Sequence, residues 1–138
     1  DAMLFVGFSS NGYSIPIDAV HKDVGGHNAG ISPMELLLTA LAGCTGMDVI
    51  SILRKKQQTV TAFEVQVEGV RADEHPRVYT EIWVKFLLTG HAIDPTAVER
   101  AIELSRDKYC GAAATLRHTA TMHYTFEITE TEPEGATP

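Results

Sequence analysis

The two cysteines of the chain, Cys44 and Cys110, are the residues whose type and setting point most directly to chemistry. Cys44 lies in an apolar stretch with helical patterning, residues 36–48, and Cys110 follows a capped amphipathic segment. If the two thiols meet in space, one sulfur can attack an oxidant and the other can resolve the oxidised product. Free cysteine is also a common small hydrophobe of protein cores, so plain packing is the alternative.

The helix predicted around Cys44 gives this thiol an apolar setting with one acid. Residues three and four apart share a helix face, so Leu37, Leu41 and Met47 are the candidate wall of a substrate pocket. Asp48 lies one turn from Cys44 on the same face. A carboxylate in a buried helix needs a partner, and we favour an ion pair with another helix or subunit over a catalytic acid. A reactive Cys44 would need a cation or a hydrogen-bond donor from elsewhere.

Cys110 lies at a possible helix N-terminus. It opens a short helical turn that is predicted to reach Leu116, and it follows Lys108 closely. A helix N-terminus and a neighbouring ammonium group both favour the thiolate over the thiol. We therefore expect Cys110 to ionise more readily than an ordinary cysteine.

Other chemistries have less support in the sequence. No CxxC, HxH or HExxH spacing occurs, and His118 and His123 have no cysteine at metal-ligand spacing, so we predict no metal site and no bound cofactor. The glycine-rich loop at residues 24–30 lacks the patterns of phosphate-binding loops. No GxSxG motif is present.

Length and charge restrict the class of protein. A chain of 138 residues predicts a single domain, which we place at residues 1–129, with a disordered acidic tail at 130–138. A net charge of −7 argues against nucleic-acid binding. Glu35 and Asp48 interrupt the longest apolar stretch, so we expect no membrane span. No secretory leader is recognisable, and a cytoplasmic, reducing compartment favours a catalytic over a structural disulfide.

The hydrophobic pattern predicts an α+β fold. The longest predicted element is a helix from Ser32 to about Lys56 that is apolar on nearly all sides. One small antiparallel sheet cannot cover such a helix, so a homodimer is expected to bury its second face. The other elements are predicted strands at Met3–Phe8, Tyr13–Ile17, Ala62–Val70, Tyr79–Leu88 and Ala120–Ile128, and a second helix from Asp94 to about Arg106. Asn11-Gly12 between the first two strands predicts a hairpin turn.

Three segments together resemble the OsmC/Ohr family. These are the run from Ser32 to Leu38, the run from Leu41 to Val49 that contains Cys44, and Lys108-Tyr109-Cys110. The resemblance covers nearly the whole chain, from the first hairpin to Ile128. It is stronger to the OsmC-like branch than to the branches with well-studied members.

The resemblance implies a fold and an activity. The implied fold is an intertwined homodimer in which antiparallel sheets enclose two central helices per subunit, with active sites at the interface. The implied activity is thiol-dependent reduction of organic hydroperoxides in defence against oxidative stress. Cys44 matches the peroxidatic cysteine and Cys110 the resolving cysteine, and an external dithiol or lipoylated protein would restore both.

Two positions depart from the family pattern. The glutamate that well-studied members carry ten residues before the peroxidatic cysteine is replaced by Met34, and Glu35 lies about 100° further around the helix. Residues 1–30 contain no arginine that could activate Cys44. These departures favour, as the alternative, an OsmC-like protein that binds a small molecule with little or no peroxidase turnover.

Overall fold

The structure is a computed structural model that describes residues 3–133. Its mixture of helices and strands confirms the predicted α+β class. A single turn of 3-10 helix at Lys22–Val24 and a π-helical turn at Ser105–Tyr109 complete the regular elements. In chain order the main elements are β1 (Phe5–Phe8), β2 (Ser14–Ile17), α1 (Pro33–Lys55), β3 (Thr59–Arg71), β4 (Tyr79–His91), α2 (Pro95–Leu104), α3 (Gly111–Leu116) and β5 (Thr121–Glu130).

The chain divides into two compact units at Thr39 and Ala40, inside α1. The first unit contains the hairpin predicted around Asn11-Gly12, in which β1 and β2 pair antiparallel from Phe5 opposite Ile17 onwards. Gly12 has a φ of +90°, a conformation that glycine adopts without steric cost. The asparagine–glycine signal therefore located the turn correctly.

A buried carboxylate organises the loop that follows the hairpin. Asp18 is only 1 % exposed. Its oxygens accept hydrogen bonds from the backbone N–H groups of Ala19 at 2.8 Å, His27 at 3.1 Å and Ala29 at 3.0 Å. The bond from Ala29, followed by those from His27 and Ala19, holds the pKa of Asp18 below its ordinary value of 3.8. The charged form of Asp18 therefore stabilises this loop.

The second unit is built on a three-stranded sheet in the order β3-β4-β5. Strands β3 and β4 pair antiparallel, but β4 and β5 pair parallel, with Val84 opposite Tyr124. The prediction of a wholly antiparallel sheet was therefore wrong for this pair. Between β4 and β5 the chain passes through α2 and α3, and such a crossover returns it to the end of the sheet from which β4 started.

The core of the second unit lies between this sheet and the helices. Alternate side chains of β4 are almost fully buried, as expected for a strand with one covered face. At Gly46 of α1 an added Cβ would lie 3.2 Å from Val65, so glycine permits the helix and β3 to approach closely. The largest buried side chains on the sheet and the helices are Leu41, Val49, Leu53, Ile82, Val84, Phe86, Leu88 and Val98.

Helix α1 keeps apolar side chains at its surface in the isolated chain. Met47, for example, is 73 % exposed. By length and composition α1 could cross a membrane, but a core helix of a soluble protein meets the same criteria, so this is weak evidence for a span. The homodimer stays a prediction.

The predicted domain boundary also stays a prediction. Strand β5 runs through Glu130, one residue into the segment predicted as a tail. Residues 134–138 of that segment lie outside the described residues.

Replacing Asp18 with asparagine is expected to lower the stability of the first unit, because an amide NH₂ would face a backbone N–H that now meets a carboxylate oxygen. The folded-state pKa of Asp18 is depressed, so its contribution is present above pH 3.8 and is lost as the pH falls through the folded-state value. Urea unfolding of both proteins from pH 3 to pH 7 checks this. The exposed Asp23→Asn is the control, and equal stability of the two variants would contradict the assignment.

Candidate active site

The structure brings both cysteines and one acid together. The Sγ atoms of Cys44 and Cys110 and a carboxylate oxygen of Asp48 all lie within 4.8 Å of one another. Cys44 and Asp48 are one turn apart on α1, whereas Cys110 lies between the π-helical turn and α3. Both cysteines are free thiols. The two thiols therefore lie close together in space, as a redox pair would require.

Backbone hydrogen bonds fix the position of Cys110. Its N–H donates to the carbonyl oxygen of Ser105 at 2.8 Å and so closes the π-helical turn. Its extended backbone makes it the N-cap of α3, and its Sγ accepts a hydrogen bond from the N–H of Ala113 at 3.4 Å. The thiol is thus held between two short helical segments rather than carried on a flexible loop.

Burial decides the ionisation of Cys110. The residue is 2 % exposed. Burial raises the pKa of the Cys110 thiol to about 11, the Ala113 N–H acts in the opposite direction, and Cys44 and Asp48 add to the rise. The expectation that Cys110 favours the thiolate was therefore wrong, because desolvation outweighs the helix N-terminus. The Lys108 ammonium group lies over the Tyr109 ring, 5.2 Å from its centroid.

Asp48 has a hydroxyl partner where we expected a cation. Ser105 Oγ donates to Asp48 Oδ2 at 2.9 Å. Thr45 Oγ1 lies 2.8 Å from Ser105 Oγ. Because the single Ser105 hydroxyl hydrogen is directed to Asp48, the Thr45 hydroxyl must donate to Ser105. The expected ion pair with another helix is absent from residues 3–133, where no lysine, arginine or histidine pairs with Asp48.

Sequence reasoning missed Ser105 and Thr45, although both are fully buried. A signal for Ser105 was present. Val98, Ala101 and Ile102 form the buried stripe of α2, and Ser105 continues that stripe at helical spacing. A serine on an apolar stripe needs a polar partner from the opposing element, and here that element is α1.

The sequence from residue 26 to residue 129 matches the family model described as OsmC-like protein. The chain belongs to the OsmC-like family. A curated relative, Protein YhfA of Escherichia coli K12, is 36 % identical over 128 residues, which cover 93 % of this chain and 92 % of that protein. This relative resembles our chain along nearly its whole length.

Solved structures share the fold of this OsmC-like protein. A hypothetical protein from Aquifex aeolicus VF5 is 29 % identical, with a TM-score of 0.74 over 96 % of our chain and 98 % of that chain. An organic hydroperoxide resistance protein OsmC from Legionella pneumophila, also described as a predicted redox protein, is 10 % identical. Its TM-score is 0.62 over 92 % of our chain and 96 % of that chain, and at this identity the likeness concerns the fold alone.

The candidate pocket residues of the OsmC-like chain have different surroundings. Leu41 is fully buried in the core, whereas Leu37 and Met47 are exposed. Leu37 belongs to the first compact unit, and Leu41 and Met47 belong to the second. Their role as a pocket wall stays a prediction.

Two cavities lie close to site residues in the second unit. One, of about 390 Å³, is bordered by Asp48, Leu104 and Tyr109. The other, of about 320 Å³, is bordered by Arg106 and Tyr124. The buried Tyr124 hydroxyl has no hydrogen-bond partner among the described residues, and burial raises the pKa of Tyr124 to about 12.

Replacing Ser105 with alanine should destabilise the protein by about 1–3 kcal/mol, because it leaves the buried Thr45 hydroxyl without an acceptor and Asp48 without a donor. Urea unfolding measures the loss. The matched control is Ser51→Ala, which makes the same change at an exposed position of α1. Equal stability of the two variants would show that the Thr45–Ser105–Asp48 chain contributes nothing.

Proposed function

We propose that this OsmC-like protein is a thiol-dependent reductase of organic hydroperoxides in which Cys44 attacks the peroxide and Cys110 resolves the product. One observation carries the proposal: two free thiols from separate elements lie within 4.8 Å of each other. The matching fold of a Legionella pneumophila protein named for organic hydroperoxide resistance supports the substrate class.

The different burial of the two thiols supports the division of roles. Cys44 is partly accessible, so an oxidant can reach it, whereas Cys110 is almost fully buried. The raised pKa of Cys110 keeps this thiol protonated at neutral pH, which makes it a poor group for the first attack, on a peroxide from solution. A buried thiol next to the attacking sulfur is well placed for the second step, since it meets the oxidised sulfur before bulk thiols do.

The proposed reaction balances in three steps. The Cys44 sulfur attacks one peroxide oxygen, the O–O bond breaks, and the products are a sulfenic acid on Cys44 and an alcohol that carries the thiol hydrogen. Cys110 then attacks the sulfenic sulfur, so that a disulfide forms and water leaves. An external dithiol or a lipoylated protein reduces the disulfide and is itself oxidised.

The proposal also covers the compartment, the oligomeric state and the cofactor requirement of the protein. We propose a cytoplasmic homodimer, with no bound cofactor, that acts in oxidative-stress defence. A cytoplasmic location fits the chemistry, because the reducing glutathione and thioredoxin systems there can regenerate the dithiol reductant. The apolar side chains exposed on α1 support a second copy of the chain as the partner.

One equivalent of cumene hydroperoxide should remove both thiols and lower the intact mass of the reduced protein by two hydrogens, the signature of a Cys44–Cys110 disulfide. Intact-mass spectrometry with a thiol titration measures this. Cys110→Ser should stop at a sulfenic acid that dimedone traps, because the resolving thiol is missing. An unchanged mass and two free thiols in the unsubstituted protein would refute the peroxidatic pair.

Cys44→Ser should reduce steady-state consumption of organic hydroperoxide with dithiol as reductant by a factor on the order of 100 or more, because a hydroxyl replaces the attacking thiolate. Cys110→Ser should lose less, since an external thiol can resolve the sulfenic acid. Peroxide consumption measured at several dithiol concentrations checks both variants. Full activity of Cys44→Ser would contradict the proposal.

Small-molecule binding with little turnover is the second candidate. It is favoured by the departures from the family pattern at Met34 and in residues 1–30. The acid next to the thiols also has no lysine, arginine or histidine paired with it among residues 3–133. The cavity beside Arg106 offers a place for a small polar ligand, since the Tyr124 hydroxyl at its border has no hydrogen-bond partner among the described residues. A molecule retained in native mass spectrometry, together with no peroxide consumption, would establish this candidate over the first.

A further inference from the structure

We propose that the reduced thiols of Cys44 and Cys110 and the carboxylate of Asp48 form a binding site for a thiophilic divalent cation of the Zn²⁺ class. The sequence predicted no metal site, because it contains none of the usual ligand spacings. The structure supplies a different arrangement. Cys44 and Asp48 are four residues apart on one helix, which is the spacing of the two histidines in HExxH zinc sites, and Cys110 comes from a separate element.

The distances suit a tetrahedral ion. The three ligand atoms lie within 4.8 Å of one another. With Zn–S bonds of about 2.3 Å and a Zn–O bond of about 2.1 Å, tetrahedral angles place the ligand atoms about 3.5–3.8 Å apart. Side-chain rotations that shorten the separations by at most about 1.3 Å would therefore close the site. The partial exposure of Cys44 and Asp48 leaves room for that adjustment.

The hydrogen bonds around Asp48 prepare it as a ligand. Ser105 donates to Oδ2, and the other oxygen, Oδ1, accepts no hydrogen bond from any residue in the range 3–133. Thr45 in turn fixes Ser105, and both are fully buried. Metal-binding carboxylates are commonly oriented by hydrogen bonds of this kind.

The charge of the site also favours a cation. Two thiolates and a carboxylate would carry three negative charges, and no described lysine, arginine or histidine pairs with Asp48 to offset them. A divalent cation would displace the thiol protons and neutralise most of this charge. A cavity of about 390 Å³ borders Asp48, with Lys55 and Lys56 among its other lining residues. A water or an external thiolate would supply the fourth ligand.

Metal binding and peroxide reduction would compete for the same sulfur atoms. A disulfide has no thiolate to offer, so only the reduced protein can bind the ion, and a bound ion occupies the lone pair with which Cys44 would attack a peroxide. The binding itself does not depend on peroxide turnover, so the two proposals fail independently.

The test uses the reduced, full-length protein and Co²⁺ alone as a spectroscopic probe. One equivalent of Co²⁺ per chain should give the near-ultraviolet thiolate-to-cobalt charge-transfer band and the strong visible bands of a tetrahedral site. Added Zn²⁺ should displace Co²⁺ and so abolish the charge-transfer band and the visible bands. Competition with a chromophoric chelator then gives the dissociation constant for Zn²⁺. The control is protein that has been oxidised with diamide. This protein has no free thiols and should stay colourless.

Four variants locate the site. Ser105→Ala should weaken Zn²⁺ binding by about 10–100-fold through the orientation of Asp48. Cys44→Ser and Cys110→Ser remove a direct ligand, so each should weaken binding at least as much and reduce the charge-transfer intensity. Asp48→Asn should keep the charge-transfer band while weakening binding. Circular dichroism confirms that each variant is folded.

The matched control is Asp73→Asn in the exposed turn after β3, which should bind Zn²⁺ like the unsubstituted protein. Binding that survives Cys44→Ser unchanged, or a Co²⁺ spectrum without a charge-transfer band, would overturn the metal site whatever the peroxide assays show. Peroxide reduction without metal binding would leave the proposed function intact and refute this inference alone.

Discussion

The geometry of the site depends on Ser105. Its hydroxyl donates to Asp48 on α1, and its carbonyl oxygen accepts the N–H of Cys110. One residue therefore connects the helix that carries Cys44 to the turn that carries the second thiol. Because Ser105 is fully buried, water cannot replace either bond at low cost, and the sulfur atoms are held together by the same bonds that satisfy the polar groups.

Burial then gives the two thiols different properties. Cys110 is almost fully buried, and its desolvation outweighs the single N–H that Ala113 donates. Cys44 is on the accessible side of the pair. This difference supports a sequence of events in which the accessible thiol reacts first and the buried thiol follows.

The sequence predicted much of this arrangement, but not all of it. Asn11-Gly12 located the first hairpin, Ser32-Pro33 located the start of α1, and the motifs around Cys44 and Cys110 indicated the family. These are local signals, set by turn conformation, helix capping and hydrophobic spacing. Local signals do not determine the direction in which a strand joins a sheet, so the parallel pairing of β5 was missed.

The ionisation and hydrogen bonding of the site were harder to predict, because they depend on residues that are distant in sequence. The ionisation of Cys110 was predicted from its neighbours in sequence, whereas its burial among distant residues decides it. The partner of Asp48 lies 57 residues away, and sequence spacing alone cannot identify it.

The Cys44–Cys110 pair is best understood as an arrangement with two competing outcomes. Two sulfurs within 4.8 Å are near enough to be candidates for a disulfide, whose bond brings them to about 2.05 Å, and with Asp48 they are candidates for holding one ion. Oxidation removes the thiolates that a metal needs, and a metal occupies the sulfur lone pairs that oxidation needs. Asp48 would be a direct ligand of the ion but is not a reactant in disulfide formation, so a change at this residue acts on metal binding more directly than on oxidation, whereas a change at either cysteine removes a reacting sulfur from both outcomes.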